Sequence, residues 1–164
     1  MRVGSGRAQL NQMSRLKIGS VLLLAILVAF QFVQPARNQS VQASTRGIVN
    51  VISIPENVQA ILQNSCYDCH SNNTRYPWYA TLQPGAWWMA SHIEKGKAEL
   101  NFDEFGNYSK RRQLSKLKAI QGSIEDENMP LPSYAIMHRS ASLSKTDQIL
   151  LKNWIETARN EISK

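Results

Sequence analysis

The sequence predicts an all-α fold. Beyond residue 55, apolar residues recur at helical spacing in several segments, and no segment alternates in the way that a half-buried strand requires. Prolines and glycines lie between these segments, where they favour turns over regular structure. With 164 residues, of which 43% are hydrophobic, the chain is long enough for one small domain and an appendage.

The appendage is the N-terminus, which is basic and then apolar. Residues 1–17 contain several basic residues and no acidic one, whereas residues 18–36 carry no charge. A helix over the uncharged stretch would be about 28 Å long, which is close to the roughly 30 Å thickness of a hydrocarbon core. We therefore predict a membrane anchor over residues 1–36. The basic flank favours an inner-membrane protein whose remaining chain lies in the periplasm. A cleaved signal peptide is the alternative.

The net charge of +7 does not predict a nucleic-acid-binding protein, because the charge is concentrated at one end. The first 44 residues hold five of the 19 basic residues and no acidic residue. The rest of the chain carries the other 14 basic residues against all 12 acidic ones, which is close to balance. Nucleic acid is therefore not an expected partner.

Residues 37–54 are polar and then weakly β-like, and we predict that they form a linker to a domain over residues 55–164. Pro55 and Glu56 suit the first turn of a helix, so the domain is expected to begin with one. That helix leads directly into both cysteines of the chain.

Further helices are expected over residues 86–100, after Pro84, and over residues 110–124. Each of these segments places apolar residues on one face. The basic run in residues 110–118 is either a solvated helix face or a docking patch for an acidic redox partner.

The C-terminal part is predicted to be a loop followed by a helix. Pro130 and Pro132 interrupt residues 127–142, which we therefore expect to be a loop. Ser144 lies three residues before Asp147, which is the spacing of a capping box, and an apolar stripe follows.

The motif C-x-x-C-H contains both cysteines, Cys66 and Cys69, followed by His70. A structural zinc site would need a fourth ligand, a thioredoxin-like redox pair would need a βαβ setting, and a simple disulfide would leave His70 unexplained. Covalent haem attachment explains all three residues, because two thiols add to the two vinyl groups and the histidine becomes an axial iron ligand. We predict one covalently attached haem c per chain.

The second axial position of the iron has several candidate ligands, or it is open. The candidates are His92, His138, Met89, Met129 and Met137. We favour Met129, because it lies in the predicted loop next to a proline that stiffens it, and because a thioether favours Fe(II). For the other methionines, and for Met89 above all, packing in the core is the competing interpretation.

The surroundings of the haem are also predicted. An axial histidine usually donates its other ring N–H to a carbonyl, and we expect that carbonyl near Pro77. Trp88 and its aromatic neighbours Trp78, Tyr79 and Trp87 are expected to wall the haem, with ordinary core packing as the alternative.

Long runs of the sequence resemble a known family. CYDCHSNNTRYPWY, WWMASH, LNFDEF and MPLPSY are similar to the small haem-binding domain found in membrane-anchored proteins of Bacteroidota, and the resemblance covers residues 50–160. It implies a small cytochrome c-like helical domain with haem bound through Cys66, Cys69 and His70. A methionine before a proline and a final helix is also similar to class I cytochromes c, which implies Met129 as the sixth ligand.

These observations predict a membrane-tethered monohaem c-type cytochrome that carries single electrons between redox partner proteins. No catalytic acid, base or nucleophile is evident, so we do not predict an enzyme. One alternative is a haem-based sensor or weak peroxidase with an open or displaceable sixth site and His92 near the distal face. Another is a disulfide-bonded adhesion or scaffold domain without haem.

Overall fold

The structure, a computed structural model, describes residues 5–42 and 44–164, with side chains described from Arg15 onward. Within this part the regular elements are helices and no strand is formed, which confirms the all-α prediction. The α-helices are α1 (Ser5–Gln31), α2 (Glu56–Ser65), α3 (Tyr67–His70), α4 (Gly85–Glu99), α5 (Lys110–Glu125), α6 (Pro132–Met137) and α7 (Lys145–Ser163). Short 3₁₀ turns lie at Ile48–Asn50, Trp78–Thr81, Phe102–Asn107 and Arg139–Ala141.

The chain divides into two compact units. The N-terminal unit comprises Met1–Ala36 and Pro77–Met89, and the core unit comprises Arg37–Tyr76 and Ala90–Lys164.

The hydrophobic core of the core unit is built where α7 packs against α5 and α2. Leu62, Leu117 and Leu151 are fully buried there. Burial of one such side chain stabilises the fold by about 1.5–3 kcal/mol. Trp154 lies in the same cluster, and its Nε1 donates a hydrogen bond to the carbonyl of Ser53 at 3.0 Å.

The start of α7 is the capping box that the sequence predicts. The Ser144 hydroxyl accepts a hydrogen bond from the backbone N–H of Asp147 at 3.1 Å, and the Asp147 carboxylate accepts one from the backbone N–H of Ser144 at 2.9 Å. Because the first N–H groups of a helix lack partners within it, this pair fixes where α7 begins.

The helices predicted from periodicity are confirmed as α2, α4, α5 and α7. The predicted loop over residues 127–142 is wrong in part, because it contains α6. Pro132 occupies the first turn of α6, where a missing N–H costs nothing, so this proline begins a helix and does not interrupt one. Met129 remains in the connection between α5 and α6.

Residues 37–54 differ from the predicted linker, because they are part of the core unit. Ile48 and Ile52 are buried in its core, and the turn at Ile48–Asn50 packs against the turn at Phe102–Asn107. The Asn38 side chain donates hydrogen bonds to the carbonyl of Ser71 at 2.8 Å and to the hydroxyl of Thr74 at 2.9 Å. The segment therefore secures the loop that follows the C-x-x-C-H motif.

In the N-terminal unit, the described apolar side chains of α1 are exposed. No helix among the described residues combines the length and the hydropathy that crossing a membrane requires. Residues 1–4 and the side chains of residues 5–14 of the predicted anchor lie outside the described part of the chain.

Candidate functional site

The C-x-x-C-H motif forms one tight helical turn at the end of α2. Cys66 follows α2 and donates its backbone N–H to the carbonyl of Leu62 at 2.9 Å. The carbonyl of Cys66 then accepts hydrogen bonds from the backbone N–H groups of Cys69 at 3.2 Å and His70 at 3.0 Å. Residues three and four apart on a helical turn lie on the same side, so the two thiols and the imidazole share one face. The two cysteines are not joined by a disulfide bond.

This face opens onto two adjoining cavities in the core unit, of about 220 Å³ and about 240 Å³. Six residues line both cavities: Ser65, Cys66, His70, Glu99, Met129 and Pro130. Cys69 and His92 line the first cavity, and apolar core residues such as Leu62 and Phe102 line the second. Together the cavities fall in the size range of pockets that enclose cofactors and other small molecules.

The orientation of the His70 ring is set by a backbone carbonyl. Nδ1 lies 3.0 Å from the carbonyl oxygen of Leu100, the residue that follows α4. A carbonyl can only accept a hydrogen bond, so Nδ1 carries the proton and Nε2 of the neutral ring carries the free lone pair. Burial lowers the pKa of His70 against the opposing effect of its carbonyl partners, which favours that neutral ring. Nε2 is therefore available as a metal ligand.

The predicted carbonyl near Pro77 is wrong as the partner of His70, because that partner is Leu100. The last carbonyls of a helix have no partner within the helix, and Leu100 follows the C-terminus of α4. Proximity in the sequence had favoured Pro77, whereas the fold brings a residue 30 positions away to the ring.

Gly96 in α4 lies in backbone contact with the motif, which sequence analysis missed. A Cβ atom at this position would lie 2.7 Å from the carbonyl oxygen of Cys69. Contacts this short do not occur, and a backbone oxygen inside a helical turn cannot move aside without distorting the motif. Gly96 is therefore required so that α4 can approach α3.

Asp68, between the two cysteines, was also missed. Its carboxylate is buried and accepts hydrogen bonds from the backbone N–H and Nε of Arg75, each at 3.1 Å. The Tyr134 hydroxyl donates to the same carboxylate at 2.6 Å. Burial, followed by the bond to Asp68, raises the pKa of Tyr134, so this hydroxyl keeps its proton. The bond joins the motif to α6, which follows the Met129 connection.

The two thiols are held in their protonated form. Burial, with a smaller contribution from Cys69, raises the pKa of Cys66 to about 12. Burial, with a smaller contribution from Asp68, raises the pKa of Cys69 to about 11. Because the thiolate is the form that attacks disulfides, a thioredoxin-like redox pair is disfavoured.

The candidates for the second axial position differ in whether they line the two cavities. Met129, which is 40% exposed, lines both cavities, and His92 lines the first. His138 and Met137 line neither of these two cavities. The His138 ring stacks on the Tyr134 ring at 4.2 Å, and Met137 is exposed at the end of α6.

The remaining predicted residues belong to the N-terminal unit. Met89 is buried there, Trp88 is half exposed, and Pro77 precedes the turn at Trp78–Thr81. The roles of Pro77 and Trp88 in holding a haem stay predictions.

Comparison with known proteins identifies the chain. The family model described as the haem-binding domain matches residues 25–157, which is most of the sequence. The chain belongs to the haem-binding domain family. No match was found among curated proteins or among solved structures.

The residues at the two cavities fit a haem. Haem iron accepts imidazole nitrogen and thioether sulfur as ligands, and His70 and Met129 both line the two cavities. The two cysteines, three residues apart, are compatible with covalent c-type attachment at the same face. The largely apolar lining suits the faces of a porphyrin.

Proposed function

We propose that this haem-binding domain is a membrane-tethered monohaem c-type cytochrome that carries single electrons on the outer face of the inner membrane. The observation that carries the proposal is the shared lining of the two cavities. Cys66, His70 and Met129 line both of them, and Cys69 lines the first. These are the residue types needed for two thioether links and two axial ligands.

On the proximal side, the protein would hold His70 in one orientation. The hydrogen bond from Nδ1–H to Leu100 fixes the ring and raises the basicity of Nε2. Links through Cys66 and Cys69 would keep the cofactor attached even if an axial ligand dissociated. A bound haem supplies a one-electron iron couple, which no side chain in this cavity supplies by itself.

On the distal side, Met129 would be positioned from both ends of its connection. The carbonyl of Ser123 in α5 accepts the backbone N–H groups of Asn128 at 3.0 Å and Met129 at 3.3 Å. Beyond Met129, the hydrogen bond between Tyr134 and Asp68 attaches α6 to the motif. A ligand held in advance needs little rearrangement when the iron changes oxidation state, which favours electron transfer.

Membrane tethering is supported by the exposed apolar side chains of α1. Ile18, Val21, Leu24 and Phe30 are among those exposed, and residues 18–36 carry no charge. An apolar helix surface of this kind is stabilised by lipid. The basic residues that precede it favour a cytoplasmic N-terminus and a periplasmic haem-binding domain.

The experiment is an absorption spectrum of the full chain, produced with a haem-maturation system and purified in detergent. Spectra are recorded oxidised, reduced, and reduced with carbon monoxide. An electron carrier with Met129 bound should show a weak far-red sulfur-to-iron band when oxidised and no shift with carbon monoxide. Met129→Ala should lose the band and bind carbon monoxide, whereas the control Met137→Ala should behave as wild type. Survival of the band in Met129→Ala would exclude Met129, and its loss in Met137→Ala alone would identify Met137 as the ligand.

A second candidate function is a haem-based sensor or weak peroxidase with a displaceable sixth ligand. The observation that favours it is that His92 lines the same cavity as Met129, a residue that is 40% exposed. In that case the unmutated reduced protein should bind carbon monoxide. His92→Ala should then change the rate of carbon monoxide binding or of peroxide turnover, which an electron carrier would not show.

A further inference from the structure

We propose that residues 77–89, which we call the tryptophan segment, form a surface that lies in the headgroup region of a lipid bilayer. The proposal rests on the membrane tether of the proposed function, and it adds a second contact with the same membrane. All residues that carry it belong to the N-terminal unit, which contains the end of α1 and the whole tryptophan segment.

Hydrogen bonds attach the tryptophan segment to the C-terminal end of α1. The backbone N–H of Gln83 donates to the side-chain oxygen of Gln31 at 2.9 Å. The Gln83 side chain donates to the carbonyl of Val33 at 2.7 Å, and the Gln34 side chain donates to the carbonyl of Thr81 at 3.0 Å. The segment is thus tied to the last residues of the uncharged stretch, where an anchor would leave the hydrocarbon core.

An aromatic contact adds to these bonds. The rings of Phe30 and Trp87 meet edge to face, with centroids 5.5 Å apart and an interplanar angle of 86°. This is one of the preferred geometries of aromatic pairs, so Trp87 continues the apolar surface of α1 onto the tryptophan segment.

Several large apolar side chains around this contact are exposed. Trp78 is 75% exposed and Phe32 is 83% exposed, and Leu82, Trp87 and Trp88 are exposed as well. Soluble proteins rarely expose contiguous apolar patches of this kind unless the patch is an interaction site.

The charge pattern and the residue types favour lipid as the occupant. Neither the tryptophan segment nor residues 18–36 contain a charged residue. Tryptophan rings are enriched where a membrane meets water, because the ring is largely apolar while its N–H seeks a polar partner. Continuity with the exposed surface of α1 places the tryptophans at that level. A protein partner would also accept aromatic residues, and the experiment separates the two.

The experiment is photolabelling of the full-length haem-loaded chain in vesicles that contain a lipid with a photoreactive group near its headgroup. Trypsin cleaves after Lys17, Arg37, Arg75 and Lys95, so α1 and the tryptophan segment are recovered in separate peptides, residues 18–37 and residues 76–95. Mass spectrometry then measures the lipid adducts on each peptide. The peptide of residues 18–37 reports the tether, and the peptide of residues 76–95 reports the tryptophan segment.

Two variants sharpen the test. The double variant Trp78→Gln, Trp87→Gln should lower labelling of residues 76–95 by about threefold or more, because the rings that hold the segment at the interface are gone. Labelling of residues 18–37 should not change. The matched control is Ile149→Gln, which removes an exposed apolar side chain from α7 in the core unit and should leave both peptides labelled as in wild type.

The labelling pattern tests the tether and the tryptophan segment separately. Labelling of both peptides, with loss from residues 76–95 alone in the double variant, supports the proposal. Labelling of residues 18–37 alone overturns it while the tether survives. Labelling of neither peptide overturns both the tether and the surface. Labelling of residues 76–95 that persists in the double variant overturns the role given to the tryptophans.

Discussion

The two sides of the proposed haem cavity are held in very different ways. On the proximal side, His70 is fixed by Leu100, Gly96 lets α4 touch the motif, and Asp68 is bound by Arg75. On the distal side, the backbone N–H of Met129 donates a long hydrogen bond of 3.3 Å, and the residue is 40% exposed. The ring of His70, the proposed proximal ligand, is therefore fixed directly, whereas Met129, the proposed distal ligand, is held through the backbone of its connection. Changes on the proximal side should cost stability and haem content, and changes on the distal side should alter mainly the spectrum.

Gly96→Ala should have the largest effect. The new Cβ would meet the carbonyl oxygen of Cys69 at 2.7 Å, so α4 or the motif must shift. We expect a loss of about 2–4 kcal/mol in the free energy of unfolding, together with a lower haem content per chain. Denaturant unfolding and the ratio of haem to protein absorbance measure the two effects.

The matched control is Gly122→Ala in α5, where a Cβ would meet nothing within 4 Å. There the change should be neutral or should stabilise the protein by up to about 1 kcal/mol, because alanine favours a helix. Equal losses in the two variants would contradict the close contact between α4 and α3.

Asp68→Asn should have the next largest effect. The substitution keeps the size of the side chain but removes the negative charge to which Arg75 and Tyr134 donate hydrogen bonds. We expect a loss of about 1–3 kcal/mol in stability, because hydrogen bonds to a charged, buried group are lost. The weaker link to α6 should also diminish the far-red band assigned to Met129.

The comparison variant for Asp68→Asn is Asp147→Asn at the exposed cap of α7, which should reduce stability without changing any haem band. If both variants altered the band equally, Asp68 would have no specific part in joining the two sides of the cavity.

Ser144→Ala should have the smallest effect and should not reach the cavity. It removes the hydroxyl that accepts a hydrogen bond from the Asp147 N–H, so the protein should lose about 1 kcal/mol of stability, as is usual for an N-cap. The spectrum and the reduction potential should be unchanged. A shift in either would mean that the start of α7 helps to position His70 or Met129.

What is local in the chain could be predicted from the sequence. The repeat of apolar residues gave the positions of α2, α4, α5 and α7, and the spacing of Ser144 and Asp147 gave the start of the last helix. The C-x-x-C-H motif is equally local, because one helical turn places its three side chains on one face. Haem binding could be predicted for that reason.

Contacts that depend on packing between distant segments could not be predicted from the sequence. The contact of Gly96 with Cys69, and the bonds of His70 to Leu100 and of Asp68 to Tyr134, join residues that no short pattern relates.

Two local features also misled the prediction. The short apolar run around Ile48 lacks a helical period, so the sequence predicts a linker there, although the run packs in the core. A proline predicts a break in a helix, whereas Pro132 lies at the first turn of α6 and begins one.

The most direct test of the account is the mass of the full chain after haem maturation, measured under denaturing conditions. The account predicts that the unfolded chain retains one haem, and that Cys66→Ala and Cys69→Ala each weaken this retention while the double variant abolishes it. A chain that binds haem when folded but releases all of it on unfolding would contradict covalent attachment. Cys66 and Cys69 would then be ordinary lining residues of a haem pocket.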